Sequence, residues 1–108
     1  MAESIELVAA IYRVTQIFPK DELYGLTSQL TRAAVSIPSN IAEGQGRKSK
    51  PEFRHFLHNA AGPLLEVETQ LTIAAVLCYL GQDREAALLQ QTNELGRIIN
   101  GLILSLAD

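Results

Sequence analysis

Residues 49–81 read SKPEFRHFLHNAAGPLLEVETQLTIAAVLCYLG, and the spacing of apolar side chains in this stretch sets the architecture. Ser49 and Glu52 have the Ser-x-x-Glu spacing in which the hydroxyl satisfies an orphan amide of a first helical turn, and Pro51 is tolerated inside that turn. From there Phe53, Leu57, Ala60, Leu64, Val67, Leu71, Ala74 and Cys78 recur in alternating steps of four and three. That is the seam of a helix packed lengthwise against others. A helix over residues 50–81 is about 48 Å long at 1.5 Å per residue, with Gly81 as its stop. Cys78, the single cysteine, falls on the seam and is expected to be a buried, inert thiol, in a chain that can form no internal disulfide.

The remaining sequence repeats the helical period. Leu7, Ile11, Val14 and Phe18 predict a first helix over residues 4–18, widened by Ile5, Val8 and Tyr12 and ended by Pro19. Leu26, Leu30, Ala33, Ile37 and Ile41 predict a second over 22–44, opened by the carboxylates of Asp21 and Glu22, with Gly44 and Gly46 available as left-handed caps. Leu88, Thr92, Leu95, Ile99, Leu102 and Leu106 predict a fourth over 84–106. No strand-like alternation is visible. The expected fold is therefore one all-α domain, an up-down-up-down antiparallel four-helix bundle, because short connections favour antiparallel neighbours.

Within the second helix stands the run Ser36-Ile37-Pro38-Ser39-Asn40-Ile41-Ala42-Glu43-Gly44. A proline in a helix interior frees the carbonyl four residues back, that of Ala34, at a cost of about 3 kcal/mol unless compensated. A kink at Pro38 is expected, with Asn40 or Ser39 answering the groups it leaves open. Ser36, Asn40, Glu43 and Arg47 fall on one polar stripe, where Glu43 is placed to pair with Arg47 one turn on.

The chain has 108 residues, 47% of them hydrophobic, and a net charge of −3, enough for one core and not for two. The average conceals a segregation. Residues 47–58 carry +3, the flanking segments −2 and −4. Arg47, Lys48, Lys50, Arg54, His55 and His58 thus form a basic patch at the junction of the second and third helices, a candidate surface for RNA phosphates or a protein partner. No interleaved aromatic ladder for base stacking accompanies it. The acidic N-terminal stretch and the lack of a long apolar run point away from a secretory signal or membrane span, and with the lone cysteine favour the cytoplasm.

Chemical motifs are sparse. Glu52 and His55 have the Glu-x-x-His spacing of di-iron bundles, but only once. His55 and His58 lack further histidines or a second cysteine to complete a metal site within the chain. Glu66 and Glu68, two residues apart on a helix, diverge by about 200° and do not form an acid/base pair. Glu68 shares a face with Leu64 and Leu71, where it needs a donor such as Asn40, Ser36 or Arg32. No catalytic residue, cofactor or metal is expected. More apolar side chains are present than one bundle conceals, among them Val35, Leu65, Val76, Leu77, Ile98, Ile103 and Leu104, so self-association is expected.

The Pro38 run, together with Tyr24-Gly25-Leu26-Thr27-Ser28-Gln29-Leu30, Arg32-Ala33-Ala34, Ser49, Glu52-Phe53, Phe56-Leu57 and Glu66-Val67-Glu68-Thr69-Gln70-Leu71, resembles the bacterial four-helix-bundle family that includes the 23S ribosomal RNA intervening-sequence proteins. Pro63 and Val67 depart from that family's usual pattern. The resemblance implies a cytoplasmic homopentamer of four-helix subunits with no established enzymatic activity, and makes Ser36, Pro38, Ser39, Asn40, Glu43, Gly44, Glu66 and Glu68 its motif positions. A related protein, the accessory variability determinant of diversity-generating retroelements, shares the architecture and binds nucleic acid, but is strongly basic where this chain is acidic. That acidic balance weakens any carry-over of the nucleic-acid role, and the expected function is an adaptor that docks another protein, with RNA binding through the basic patch as the alternative.

Overall fold

The computed structural model describes residues 1–107. Four helices account for most of them: α1 (Ala2–Thr15), α2 (Leu26–Gln45), α3 (Lys50–Val76) and α4 (Gln82–Ser105), with one 3-10 turn at Lys20–Glu22. Among the described residues there is no strand. The helices form a closed circuit in which α2 packs on α1 and α3, and α4 on α3 and α1. The bundle measures 45 × 24 × 19 Å, its length set by α3.

The core is where the period placed it. Leu7 and Ile11 of α1, Leu30, Ile37 and Ile41 of α2, Leu57, Val67 and Leu71 of α3, and Leu95 and Ile99 of α4 are fully or almost fully buried. Each such side chain contributes about 1.5–3 kcal/mol of transfer free energy, which is what holds four amphipathic helices together. Contacts join opposite helix ends. Arg54 near the start of α3 donates to the Leu106 carbonyl after α4, and Tyr79 after α3 donates to Glu22 before α2.

The α3 start is as read: Ser49 Oγ accepts the Glu52 amide at 3.3 Å and donates to Glu52 Oε1 at 3.1 Å. Both internal prolines, Pro38 and Pro63, lie within continuous helix.

Several boundaries differ from the sequence reading. Helix α3 ends at Val76, not at 81, because Cys78 turns into the left-handed region at φ 64°. The Cys78 amide then bonds the Ala75 carbonyl at 3.0 Å and the Tyr79 amide bonds that of Ala74 at 2.9 Å. This is the Schellman arrangement, with a cysteine where glycine is usual. Cys78 is consequently exposed rather than buried. Gly81 is the N-cap of α4, not the stop of α3. Helix α1 ends at Thr15, and three successive i to i−3 bonds tighten Gln16, Ile17 and Phe18, so Phe18 reaches the core beyond the helix. Helix α2 starts at Leu26, not 22; Glu22 still serves that end, since its Oε1 accepts the Leu26 amide at 3.2 Å from the preceding turn.

Gly44 and Gly46 are not left-handed caps, for no glycine has positive φ. Gly44 is instead a close-approach position. A Cβ there would sit 2.8 Å from Phe56 Cβ and 2.9 Å from Phe53 Cδ1, so its lack of a side chain lets α2 meet the first turns of α3.

Candidate docking groove and basic end

The basic patch lies where α2 ends and α3 begins, and the structure divides it. Arg47 Nη2 pairs with Glu43 Oε1 at 2.6 Å, as the four-residue spacing foretold, and the guanidinium lies 4.9 Å from the Phe56 ring centre. Arg54 is half-buried and its Nη1 donates to the Leu106 carbonyl at 3.0 Å. That places a cation on the C-terminal end of α4, where the helix dipole favours one. Lys48, Lys50, His55 and His58 are exposed. His55 Nε2 stands 3.4 Å from Asn59 Nδ2, and its ring meets Phe56 edge-on. Two of the four strong cations in the patch therefore act within the fold, and the positive surface left is that of two lysines flanked by histidines.

The polar stripe of α2 bonds chiefly within its own helix. Asn40 Nδ2 donates to the Ser36 carbonyl at 2.8 Å and to Ser36 Oγ at 3.1 Å, while Ser39 Oγ donates to the Val35 carbonyl at 2.9 Å. Neither reaches the Ala34 carbonyl that Pro38 releases. The reason is geometric: a short side chain on a helix folds back toward carbonyls three or four residues earlier on its own face.

From Ser36 toward the start of α2, α2 and α3 enclose a shallow groove. Its first section, about 290 Å³, is lined by Gln29, Arg32 and Ser36 from α2 and by Pro63, Glu66 and Gln70 from α3. A second section of about 300 Å³ continues along Gln29, Glu66 and Gln70 past Leu65, Thr69 and Ile73. Residues from two of the motif runs, far apart in the chain, thus meet across one surface. Gln70 Oε1 is buried there with no hydrogen-bond partner among the described residues. Single-sequence reading missed this, since Gln70 is one polar residue among several on α3 and only the neighbouring helix reveals what surrounds it.

Glu66 and Glu68 diverge as expected, Glu66 into the α2–α3 groove and Glu68 toward α4. The donor to Glu68 is none of Asn40, Ser36 or Arg32, which lie on the α2 side. It is Thr92, a fully buried residue of α4 whose Oγ1 stands 2.9 Å from Glu68 Oε2 and 2.9 Å from the Leu89 carbonyl.

A second cleft of about 430 Å³ separates α1 from α4, lined by Ala10, Arg13, Val14, Arg84, Ala87 and Leu88 among others. Large apolar side chains remain exposed on the bundle surface, including Leu65 at 63% and Val76 at 76%, with Val35, Leu77 and Leu104 also exposed; Ile98 and Ile103 are half-buried rather than exposed. No helix is long and apolar enough to cross a membrane among the described residues.

Among curated proteins none matches the chain. A crystal structure at 1.70 Å of a protein of unknown function from the S23 ribosomal protein family of Bacteroides thetaiotaomicron VPI-5482 superposes with a TM-score of 0.87 at 19% identity, covering 94% of this chain and 95% of that one. At that identity the likeness speaks for the four-helix fold alone. The family model described as 23S rRNA-intervening sequence protein matches residues 1–101, nearly the whole chain and both motif-bearing helices. The chain belongs to the family of 23S rRNA-intervening sequence proteins.

Proposed function

We propose that this protein is a non-enzymatic, cytoplasmic adaptor that assembles from copies of itself, five in the arrangement the family resemblance implies, and docks another protein. The observation that supports this reading most is the apolar surface left on a single copy, with Leu65, Val76 and Leu104 each more than half exposed. Covering large exposed apolar side chains of this kind against further copies removes them from water. Light scattering at micromolar concentration tests the assembly: several times the 11.8 kDa of one chain is expected, and a monomer would overturn it.

RNA binding at the basic end is the second reading, supported by the exposed Lys48, Lys50, His55 and His58, which a ring would repeat around one rim. Phosphate contacts release counterions, so binding to structured RNA would weaken steeply with salt. An electrophoretic-shift comparison of wild type with Lys48 and Lys50 changed to glutamate decides it; absent or salt-insensitive binding removes the RNA reading. Arg47 and Arg54 are left unchanged in that variant, because each has an intramolecular contact whose loss would confuse folding with binding.

A further inference from the structure

The cleft between α1 and α4 joins an apolar floor to two cations. Val14 of α1 and Leu88 of α4 make the floor, each only 6% exposed. Ala10 and Ala87, one from each helix, are too small to fill the space above it, about 430 Å³. Ile17, 52% exposed, stands at the rim.

Arg13 lines the cleft from α1 and Arg84 from α4, and both are exposed. No acidic residue lines it, and neither guanidinium has a carboxylate partner among the described residues, the one ion pair there being Glu43 with Arg47. The α2–α3 groove differs, since Arg32 and Glu66 both line it. On α1 the lining positions 10, 13, 14 and 17 follow at i, i+3, i+4 and i+7, and on α4 positions 84, 87 and 88 follow at i, i+3 and i+4. The trough therefore runs lengthwise between two helices, a shape that takes the side-chain ridge of a third. Farther along the same two helices the face turns acidic, with Glu3, Glu6 and Glu94, so an anionic occupant is held at the arginine end alone.

We propose that this cleft docks an amphipathic helix of a partner protein, with apolar residues at i, i+3 or i+4, and i+7 filling the trough above Val14 and Leu88 and flanking Asp or Glu carboxylates meeting Arg13 and Arg84. This is helix-in-groove recognition, and arginine suits it because its fork of donors matches a carboxylate. Charge complementarity selects an acidic partner, and the apolar floor selects a helix over RNA, whose phosphates would leave that floor in water. The inference rests on the adaptor reading above and deepens it by naming the docking face and the chemistry of the partner.

Fluorescence anisotropy of a labelled peptide with the full chain tests it. The peptide has about 18 residues, enough to hold a helix, with a leucine ridge over two turns, glutamates beside that ridge and neutral residues elsewhere. Wild type should bind it saturably. Arg13→Glu and Arg84→Glu should each weaken binding about tenfold, and the double variant should bind instead the peptide in which lysine replaces every glutamate. Ala87→Leu, which keeps both arginines and fills the trough, should weaken the acidic peptide as well. All three positions are exposed, so thermal melts followed by circular dichroism should match wild type.

Absent binding by wild type, or equal binding by wild type and these variants, overturns the cleft as the docking site. Light scattering on the same samples separates that result from the assembly. Variants that lose the peptide but keep the wild-type number of copies support the proposal, whereas variants that lose copies make a second chain the occupant and overturn it. A wild-type monomer that still binds the peptide through the two arginines would overturn the self-assembly and leave the cleft assigned. Structured RNA that displaces the peptide, and is itself lost in the arginine variants but not in Ala87→Leu, would make a polyanion the occupant and refute the helix.

Discussion

The Tyr79 hydroxyl donates to Glu22 Oε2 at 3.0 Å, while the other oxygen of the same carboxylate accepts the Leu26 amide at 3.2 Å. One side chain thereby closes the open end of α2 and latches it to the turn that follows α3, and the Phe18 ring packs against Tyr79 with centroids 5.8 Å apart. Glu22→Ala removes both bonds and should cost about 1–2 kcal/mol in chemical denaturation. Tyr79→Phe, which removes one and leaves the helix end satisfied, should cost less.

The same latch predicts a pH dependence. The hydrogen bond to Glu22 raises the Tyr79 pKa above the ordinary phenol value, and burial and the negative charges of Glu22 and Asp21 push in the same direction. With the folded pKa above the unfolded one, the stabilisation is fully present below about pH 10 and is lost as pH rises through the folded value. Urea midpoints measured across that alkaline range should fall for wild type more than for Tyr79→Phe. Parallel curves would show that the latch does not titrate.

Cys78 occupies a left-handed position that L side chains disfavour, at φ 64° and exposed to solvent. Cys78→Gly should raise stability by about 1 kcal/mol, since glycine adopts this conformation without the Cβ clash. Cys78→Val should lower it, because a β-branched residue tolerates the region less well. Thermal midpoints of the two variants should therefore bracket the wild type.

Gly44→Ala sets helix propensity against packing. Alanine gains about 1 kcal/mol over glycine inside a helix, but its Cβ would lie under 3 Å from Phe53 and Phe56 atoms, and overpacking costs about 1–3 kcal/mol. A net loss of stability is expected. Gly101→Ala on α4, with nothing within 4 Å of the new Cβ, should gain up to about 1 kcal/mol, and the contrast between the two isolates the close approach.

Thr92 has one hydroxyl proton and two acceptors at 2.9 Å, the Leu89 carbonyl and Glu68 Oε2. Loss of Glu68 leaves that proton satisfied, so Glu68→Ala should cost little, about 0.5 kcal/mol. Thr92→Val deprives both acceptors and should cost about 1 kcal/mol. Equal losses in a denaturation series would mean that the carboxylate, rather than the Leu89 carbonyl, is the principal partner.

Residues whose role follows from local spacing were legible in the chain. The Ser49–Glu52 cap, the Glu43–Arg47 pair and the buried seam from Leu57 to Ala74 each depend on neighbours three or four residues away, and helical geometry fixes those distances. Cys78 misled because the seam continues through it in sequence, while the chain turns left-handed there. Gly44 misled for a related reason: a glycine near a helix end suggests a cap, and only the arrival of Phe53 and Phe56 shows that it is a contact. Glu68 had a correct need for a donor but the wrong helix supplied it in the reading, since facing residues on α2 and α4 are equally compatible with its period.

By itself the sequence determined that four amphipathic helices would form, where most of their apolar faces lie, and to which family the motifs point, because these depend on the 3.6-residue period and on short-range bonds. Only the tertiary structure decided that Glu22 serves Tyr79, that Glu68 faces Thr92, and that Arg32, Glu66, Gln29 and Gln70 share one groove. Those relationships join residues 24 to 57 positions apart, or set two helices at a particular rotation about their axes, and the helical period says which residues share a face without saying which other face it meets.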